Sequence, residues 1–183
     1  MNDMPTLRDV DHSQGSLSAA LSLMTYGSYQ CPRSGQAHKT TKELQESLGD
    51  QLCFIFRHFP QPERYPQALT AAETAEAAGS QGKFWEMHDK LFENQDALDD
   101  ASLVEYASEL GLDISQFLFE ISHNVHSQRI QSDIDSASKY GVDDSPTFFI
   151  SVRHKGSTNL AALVRQILMA TVDNESEEDL GST

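Results

Sequence analysis

The chain has 183 residues, 38% of them hydrophobic, which suits one folded domain or one domain carrying an insertion. Its formal net charge of −15 repels phosphate backbones and anionic lipid, so we expect neither nucleic acid nor a membrane surface as a partner. The first eight residues lack the basic and apolar regions of a secretory signal, and no apolar run approaches the roughly 18 residues of a membrane span. We therefore expect a soluble cytoplasmic protein whose two cysteines are free thiols.

The first 62 residues predict an N-terminal arm followed by a β-α-β unit. Residues 1–18 are polar and predict an extended arm, and the apolar residues between 21 and 26 predict a short strand. Pro32 suits the first position of a helix, which apolar spacing continues as far as Gly49. The continuous apolar run 52–56 predicts a second strand, buried and parallel to the first. Cys31 is therefore expected at a strand-to-helix junction, at the helix N-terminus.

The rest of the chain predicts a helical block and then a return to strand structure. Residues 63–140 contain about five helical stripes separated by capping residues and glycines, with no convincing strand among them. Residues 145–150 predict a strand, Gly156 a hairpin turn, and residues 160–168 an amphipathic helix. The acidic residues 173–183 predict a disordered tail. We expect a core formed by residues 19–62 and 141–172, split by an inserted helical domain of residues 63–140.

Several short segments together resemble one known family. They are residues 26–32 (YGSYQCP), 56–60 (FRHFP), 82–88 (GKFWEMH) and 145–150 (SPTFFI), preceded by Asp11, His12 and Gly15. Their order and spacing over residues 10 to 170 resemble those of DsbA-like members of the thioredoxin superfamily. This resemblance implies an α/β, thioredoxin-like fold with a helical insertion. It also implies a nucleophilic Cys31 and a cis peptide bond before Pro146.

The sequence departs from the family pattern at four positions. Ser34 replaces the usual second cysteine, Thr25 replaces the acid common six positions before the nucleophile, and Ser28 replaces the frequent acid three positions before it. Ser145 precedes the expected cis proline. A dithiol enzyme resolves its mixed disulfide with the second cysteine, and a serine does not perform that step. The sequence therefore predicts monothiol chemistry.

Three features predict that the pKa of Cys31 lies below the value of about 8.5 for a free thiol. The helix N-terminus presents unpaired N–H groups, Arg33 adds a positive charge two residues later, and the Ser34 hydroxyl is a candidate donor to the sulfur. Each of them favours the thiolate, which is the nucleophilic form of cysteine.

Cys53 is the other thiol and is expected to be buried and inert. It lies near the start of the second strand, whereas Cys31 follows the end of the first, and these ends are opposite in a parallel pair. Five strand residues span about 16 Å. A disulfide requires Cα atoms within about 7 Å, so a Cys31–Cys53 bridge is not expected.

The histidines and aromatic residues of the helices are interpreted mainly as structural. His38 is expected to be solvated, and His58 is expected either at the rim of the site or in a structural role. His123 and His126 have i, i+3 spacing, which is weak evidence for metal and favours surface residues. His88 lies on an apolar stripe and is expected to be a satisfied core residue. Four other residues of the insertion are expected in its core, although part of their face is a candidate lining for a peptide groove: Phe84, Trp85, Met87 and Phe92.

Two hypotheses follow for function. In the first, Cys31, Ser34 and Pro146 carry catalysis, while Pro32, Arg33 and Ser145 contact the substrate. The protein is then a thiol–disulfide oxidoreductase or isomerase acting on protein or peptide disulfides or glutathione adducts. No metal or bound cofactor is expected, and glutathione is a candidate co-substrate. In the second, the chain is a catalytically degenerate module that binds peptide or protein partners without redox turnover.

Overall fold

The computed structural model of the protein describes residues 4–153 and 158–173. Its elements in chain order are β1 (His12–Gln14), β2 (Leu21–Gly27), α1 (Pro32–Leu48), β3 (Leu52–His58), α2 (Ala68–Ser80), α3 (Phe84–Glu93), α4 (Asp100–Glu109), α5 (Ile114–Ser122), α6 (Ser127–Lys139), β4 (Thr147–Val152) and α7 (Thr158–Asp173). The hairpin turn predicted at Gly156 and residues 174–183 of the acidic tail lie outside the described residues.

The four strands form one mixed sheet in the order β1-β3-β2-β4. Strands β2 and β3 are parallel, with Leu21 opposite Leu52 and Gly27 opposite His58, which confirms the predicted β-α-β unit. Both strands are buried along their whole length, as their continuous apolar sequences require. Strand β4 runs antiparallel to β2 and begins beside its last residues. The sheet therefore brings the start of α1 and the segment before β4 to the same edge.

The N-terminal arm contains an edge strand that the sequence did not predict. Strand β1 pairs antiparallel with β3, with His12 opposite Phe56. Its sequence, His-Ser-Gln, has no apolar alternation because an edge strand this short is held mainly by backbone hydrogen bonds. The arm is therefore part of the core sheet.

A buried ionic cluster joins this arm to the sheet. The Arg57 side chain on β3 is fully buried and donates to both carboxylate oxygens of Asp11, from Nε at 2.9 Å and from Nη2 at 2.6 Å. It also donates to the hydroxyls of Tyr26 and Ser136, at 2.8 and 2.9 Å, and to the carbonyl of Thr6 at 2.7 Å. Every donor nitrogen of the guanidinium thus has a partner, which is the condition under which a buried charge is tolerated.

The insertion between β3 and β4 consists of the five helices α2 to α6, as predicted. Asp99 and Asp113 cap α4 and α5 by accepting hydrogen bonds from backbone N–H groups of the first turn. The expected insertion residues belong to the main hydrophobic core or pack against it: Phe84, Trp85, Met87 and Phe92. Among the residues that the structure describes, no helix is both long and apolar enough to cross a membrane.

Candidate active site

Cys31 forms the junction between β2 and α1 and is the N-cap residue of that helix. Its N–H donates to the Ser28 carbonyl and its carbonyl accepts from the N–H of Gly35, both at 3.1 Å. Gln95, in the loop after α3, donates from Nε2 to the carbonyls of Tyr29 and Cys31, at 2.6 and 2.8 Å. A Cβ atom at residue 35 would lie only 2.0 Å from Gln95 Oε1, so the glycine permits this close approach. The insertion therefore holds the turn that carries the cysteine.

The sulfur of Cys31 is enclosed by three segments of the chain, and the residue is only 1% exposed. Its thiol donates to the carbonyl oxygen of Ser145 at 3.3 Å. Hydrogen bonds from the Ser34 backbone and side chain and from the Tyr65 side chain also act on the sulfur. Apart from the Ser145 carbonyl, which is an acceptor, these groups are donors suited to stabilising negative charge on the nucleophile.

These contacts set the direction of the pKa shift of Cys31. Burial raises the pKa, whereas hydrogen bonds with the Ser145 side chain, with the backbone and side chain of Ser34 and with the Tyr65 side chain lower it, and the net result is a pKa below the ordinary value of a thiol. The pKa of the Tyr65 phenol shifts in the opposite direction, since burial and the neighbouring sulfur raise it. Tyr65 therefore keeps its proton and acts as a donor, and the predicted lowering of the Cys31 pKa is confirmed.

Arg33 supplies the positive charge that the sequence predicted near the thiol, but this charge is paired with an acid. Its guanidinium pairs with the Asp144 carboxylate and donates to the Ser145 carbonyl at 3.1 Å. Arg64 contacts the other oxygen of Asp144 at 3.3 Å, and these two arginines lower the pKa of that carboxyl against its partial burial. Because an acid partner neutralises Arg33, the thiolate depends mainly on hydrogen bonds.

The segment before β4 contributes the Ser145–Pro146 peptide bond, which is cis. Ser145 is completely buried, its carbonyl accepts from Cys31 and Arg33, and its hydroxyl donates to Gln61 at 3.1 Å. Pro146 is half-buried, whereas Pro32 is exposed at the first position of α1. The fold thus gathers Cys31, Arg33, Ser34 and the Ser145–Pro146 segment, although 114 residues separate Cys31 from Ser145.

The two positions where the family commonly has acids are occupied by buried hydroxyls. Thr25 and Ser28 are 6% and 2% exposed. Within the described part of the chain, neither Thr25 Oγ1 nor Ser28 Oγ has a hydrogen-bond partner. Neither hydroxyl is an ionisable group at neutral pH, so both lack the charge of the acids they replace.

The expectation that His38 is solvated is wrong. Its side chain lies on the inner face of α1, is 7% exposed, and stacks on the Phe92 ring with centroids 4.8 Å apart. The helix periodicity placed His38 two turns beyond Cys31 but did not show that α3 covers this face. His88 is buried as predicted, and its Nδ1 hydrogen-bonds with the Tyr29 hydroxyl at 3.0 Å.

The remaining histidines have structural contacts. His58 is buried, and its Nε2 bonds with Glu76 at 2.8 Å, which supports the structural alternative. Nε2 of His126 bonds with Glu120 at 2.8 Å, while Nδ1 of His123 bonds with the Phe119 carbonyl at 2.9 Å. His123 and His126 therefore use different partners and do not converge on one site.

Cys53 is buried at the start of β3, as predicted. It pairs with Ser22 near the beginning of β2, whereas Cys31 follows the end of that strand. Burial raises the pKa of Cys53, so this thiol is less ionised than a free cysteine.

Comparison with known proteins identifies the family. A thioredoxin family model (Thioredoxin_4) matches residues 8–168. This chain belongs to the thioredoxin family. Solved structures with the same fold include alpha-DsbA1 of Wolbachia pipientis (TM-score 0.73, 19% identity, 94% of this chain and 98% of that one) and oxidised BdbD of Bacillus subtilis (TM-score 0.69, 17% identity, 90% and 94%). The fold is therefore the DsbA-like form of the thioredoxin fold, as the sequence predicted.

Curated relatives that match this thioredoxin-family chain are named as Na(+)/H(+) antiporters and not as thioredoxins. A Na(+)/H(+) antiporter NhaA 1 of Salinispora arenicola is 39% identical over 168 residues, which is 91% of this chain and 26% of that protein. An antiporter NhaA of Herminiimonas arsenicoxydans is 33% identical over 167 residues, again 91% and 26%. The chain thus spans about a quarter of the length of the relatives it matches.

Sequence reasoning missed three residues of the site: Tyr65, Gln95 and Asp144. Tyr65 and Gln95 lie in connecting segments that carry no motif and approach Cys31 only in the folded protein. Asp144 directly precedes Ser145, so its position beside the motif was the one available signal. Its pairing with Arg33 depends on tertiary contact.

Replacing Tyr65 with phenylalanine is expected to raise the pKa of Cys31, because one hydrogen bond to the thiolate is removed. The ultraviolet absorbance of the thiolate, followed against pH, measures this change. Tyr106→Phe is the matched control, since its hydroxyl donates to the Ala97 carbonyl at 2.8 Å in the insertion. An unchanged Cys31 pKa in Y65F would exclude Tyr65 as a donor to the sulfur.

Proposed function

We propose that this chain catalyses thiol–disulfide exchange through Cys31 alone. The observation that carries the proposal is a buried thiol of lowered pKa at the start of α1, in contact with the cis Ser145–Pro146 segment. The other cysteine, Cys53, lies at the far end of the parallel strands, so resolution requires a thiol from outside this pair.

The reaction consists of two exchange steps. The Cys31 thiolate attacks one sulfur of a disulfide, the S–S bond breaks, and the departing thiolate takes a proton from solvent. The product is a mixed disulfide on Cys31. A second thiolate, from glutathione or from the substrate itself, attacks that mixed disulfide and releases the Cys31 thiolate. The disulfide bonds of the substrate are thereby exchanged or isomerised, and the enzyme returns to its starting state.

A polar cleft beside the cysteine supports a peptide-like substrate. It has a volume of about 580 Å³, and Pro32 and Tyr65 are among the residues that line it. Most of its other lining residues carry amide or charged side chains: Gln30, Gln36, Lys39, Gln67, Glu93, Gln95 and Asp96. Such groups suit the amides and charges of a protein segment or of glutathione. Of the residues named as candidate lining for a peptide groove, Phe92 lines this cleft, whereas Phe84, Trp85 and Met87 do not.

The exchange activity is tested with glutathione disulfide and a peptide thiol, comparing Cys31→Ser with Cys53→Ser. We expect Cys31→Ser to lose at least about 100-fold in rate because the covalent intermediate is no longer formed. Cys53→Ser controls for the loss of a buried thiol, and its exchange rate is expected to remain close to that of the unmodified protein. Equal rates in the unmodified protein and in Cys31→Ser would contradict the proposed enzyme.

A second candidate function is a redox-silent module that binds a protein partner. Two observations favour it: Cys31 is only 1% exposed, and the relatives named as antiporters contain about three times as much additional chain. In such proteins this domain would bind or regulate the remaining part. The same assay separates the two candidates, since a silent module shows no exchange activity that depends on Cys31. The expected cytoplasmic location stays a prediction.

A further inference from the structure

Three side chains with ligand atoms meet beneath the active-site turn, where α1 packs against α3. They are His38 on α1 and His88 and Asp89 on α3, and their ligand atoms all lie within 4.8 Å of one another. Nε2 of His38 is 3.5 Å from Oδ1 of Asp89. The cluster belongs to neither the thiol chemistry of Cys31 nor the buried network of Arg57.

The separation of His38 and Asp89 fits two ligands of one metal ion. Zinc binds imidazole nitrogen and carboxylate oxygen at about 2.0–2.2 Å, so neighbouring ligands of a tetrahedral site are about 3.3–3.6 Å apart. The observed 3.5 Å falls in this range and is too long for a strong hydrogen bond.

A second histidine cluster in the protein provides a contrast. In that cluster, Nε2 atoms of His12 and His58 lie 2.9 and 2.8 Å from the same oxygen of Glu76. These are ordinary hydrogen-bond distances, in contrast to the 3.5 Å between His38 and Asp89. The Glu76 oxygen of the His12 cluster is therefore engaged without an ion, whereas Nδ1 of the buried His58 has no hydrogen-bond partner among the described residues.

His88 supplies an independent sign of a ligand. Its Nδ1 is engaged by the Tyr29 hydroxyl, whereas its buried Nε2 has no hydrogen-bond partner among the described residues. A buried polar atom without a partner is costly and calls for an explanation. The His88 side chain lines a small cavity together with His38, Ser34 and Thr25, whose hydroxyl also has no partner among the described residues, whereas Asp89 lies outside the cavity lining. The centre of a water-sized sphere can occupy a volume of about 10 Å³ in this cavity, so the cavity has room for one small occupant.

Neighbouring side chains orient two of the three ligands. Lys42 binds Oδ2 of Asp89 at 2.8 Å and leaves Oδ1 directed to His38. Tyr29 orients His88 in the way that outer partners orient metal-binding histidines.

We propose that His38, His88 and Asp89 bind a divalent cation of the zinc class. The ion would join α1, which begins at the active-site turn, to α3 of the insertion. The Asp89 side chain is 30% exposed and provides a route from solvent. The sequence predicted no metal site because His38 and His88 are 50 residues apart and neither forms part of a ligand motif. This proposal does not depend on the proposed exchange activity, since its test measures binding.

The test is calorimetric titration of the full chain with Zn²⁺, together with the visible spectrum after addition of Co²⁺. We expect one equivalent of Zn²⁺ to bind with micromolar or tighter affinity, and Co²⁺ to give the absorption of a tetrahedral site. Titrating the Cys31→Ser, Cys53→Ser double variant removes both thiols and is expected to give the same affinity. Asp89→Asn and His88→Gln are each expected to weaken binding at least about 10-fold.

The matched control is His123→Gln, which removes an exposed histidine and should leave the affinity unchanged. Because His88 is buried and its replacement endangers folding, the Asp89→Asn variant, at a partly exposed position, gives the deciding result, with circular dichroism confirming the fold. The proposal is overturned if Zn²⁺ binds no tighter than about 100 µM. It is also overturned if binding is lost without the thiols, or is equal in D89N and the unmodified protein.

Discussion

Replacing Asp11 with asparagine is expected to lower the free energy of unfolding by about 3–5 kcal/mol, because it leaves the buried Arg57 guanidinium without its countercharge. Asp11 and Arg57 have completely buried side chains and are joined by two hydrogen bonds. Arg8 also donates to Asp11, so the substitution disturbs two arginines. Urea unfolding, followed by circular dichroism, measures the change. Asp9→Asn is the control, since Asp9 is exposed in the same arm.

The pH dependence provides a second measurement of the same effect. Burial raises the pKa of Asp11, but hydrogen bonds from Arg57 and Arg8 outweigh burial and hold it below the ordinary 3.8. A depressed carboxyl pKa stabilises the folded state above the unfolded-state pKa, and this contribution is lost as pH falls through the folded-state pKa. The difference between the unmodified protein and D11N should therefore shrink below about pH 4. A constant difference down to pH 2 would contradict the role assigned to this pair.

Replacing Ser34 with cysteine is expected to convert the single-thiol site into a dithiol site. Residues 31 and 34 are three positions apart at the start of α1, and the Ser34 side chain already hydrogen-bonds with the sulfur of Cys31. A thiol held at this position should release the mixed disulfide of Cys31 at least about 100-fold faster than the serine protein, because the attack becomes intramolecular. Mass spectrometry of acid-quenched reactions measures the lifetime of the mixed disulfide.

The control for this faster release is the double variant Cys31→Ser, Ser34→Cys, which has a thiol at position 34 and no nucleophilic thiol at position 31. It should accumulate no mixed disulfide on residue 31 and should not reduce insulin. If S34C holds its mixed disulfide as long as the unmodified protein, then the side chain at position 34 does not reach the sulfur during turnover. That result would limit the site to resolution by external thiols.

Local pattern was sufficient to predict most of the fold. The apolar runs of β2 and β3, the proline at the start of α1 and the glycine after it specify these elements through short-range preferences, and the structure confirms them. Strand β1 was missed because its pairing with β3 involves backbone groups that leave no pattern in the sequence. The same limit applies to the buried Asp11 and Arg57, whose sequence contexts resemble those of surface charges.

The candidate site likewise has some features that the sequence alone predicts and others that depend on the tertiary structure. The sequence alone determined that one cysteine lies at a helix N-terminus, that Ser34 replaces its partner and that Pro146 lies near the start of a strand, which in the structure begins at Thr147. Tertiary structure alone decided the environment of that cysteine. It places the Ser145 carbonyl and Tyr65 at the sulfur, pairs Arg33 with Asp144, and buries His38 against α3. The reason is physical: helix and strand preferences act over a few residues, whereas hydrogen bonds, ion pairs and burial depend on which distant segments the folded chain brings within a few ångströms.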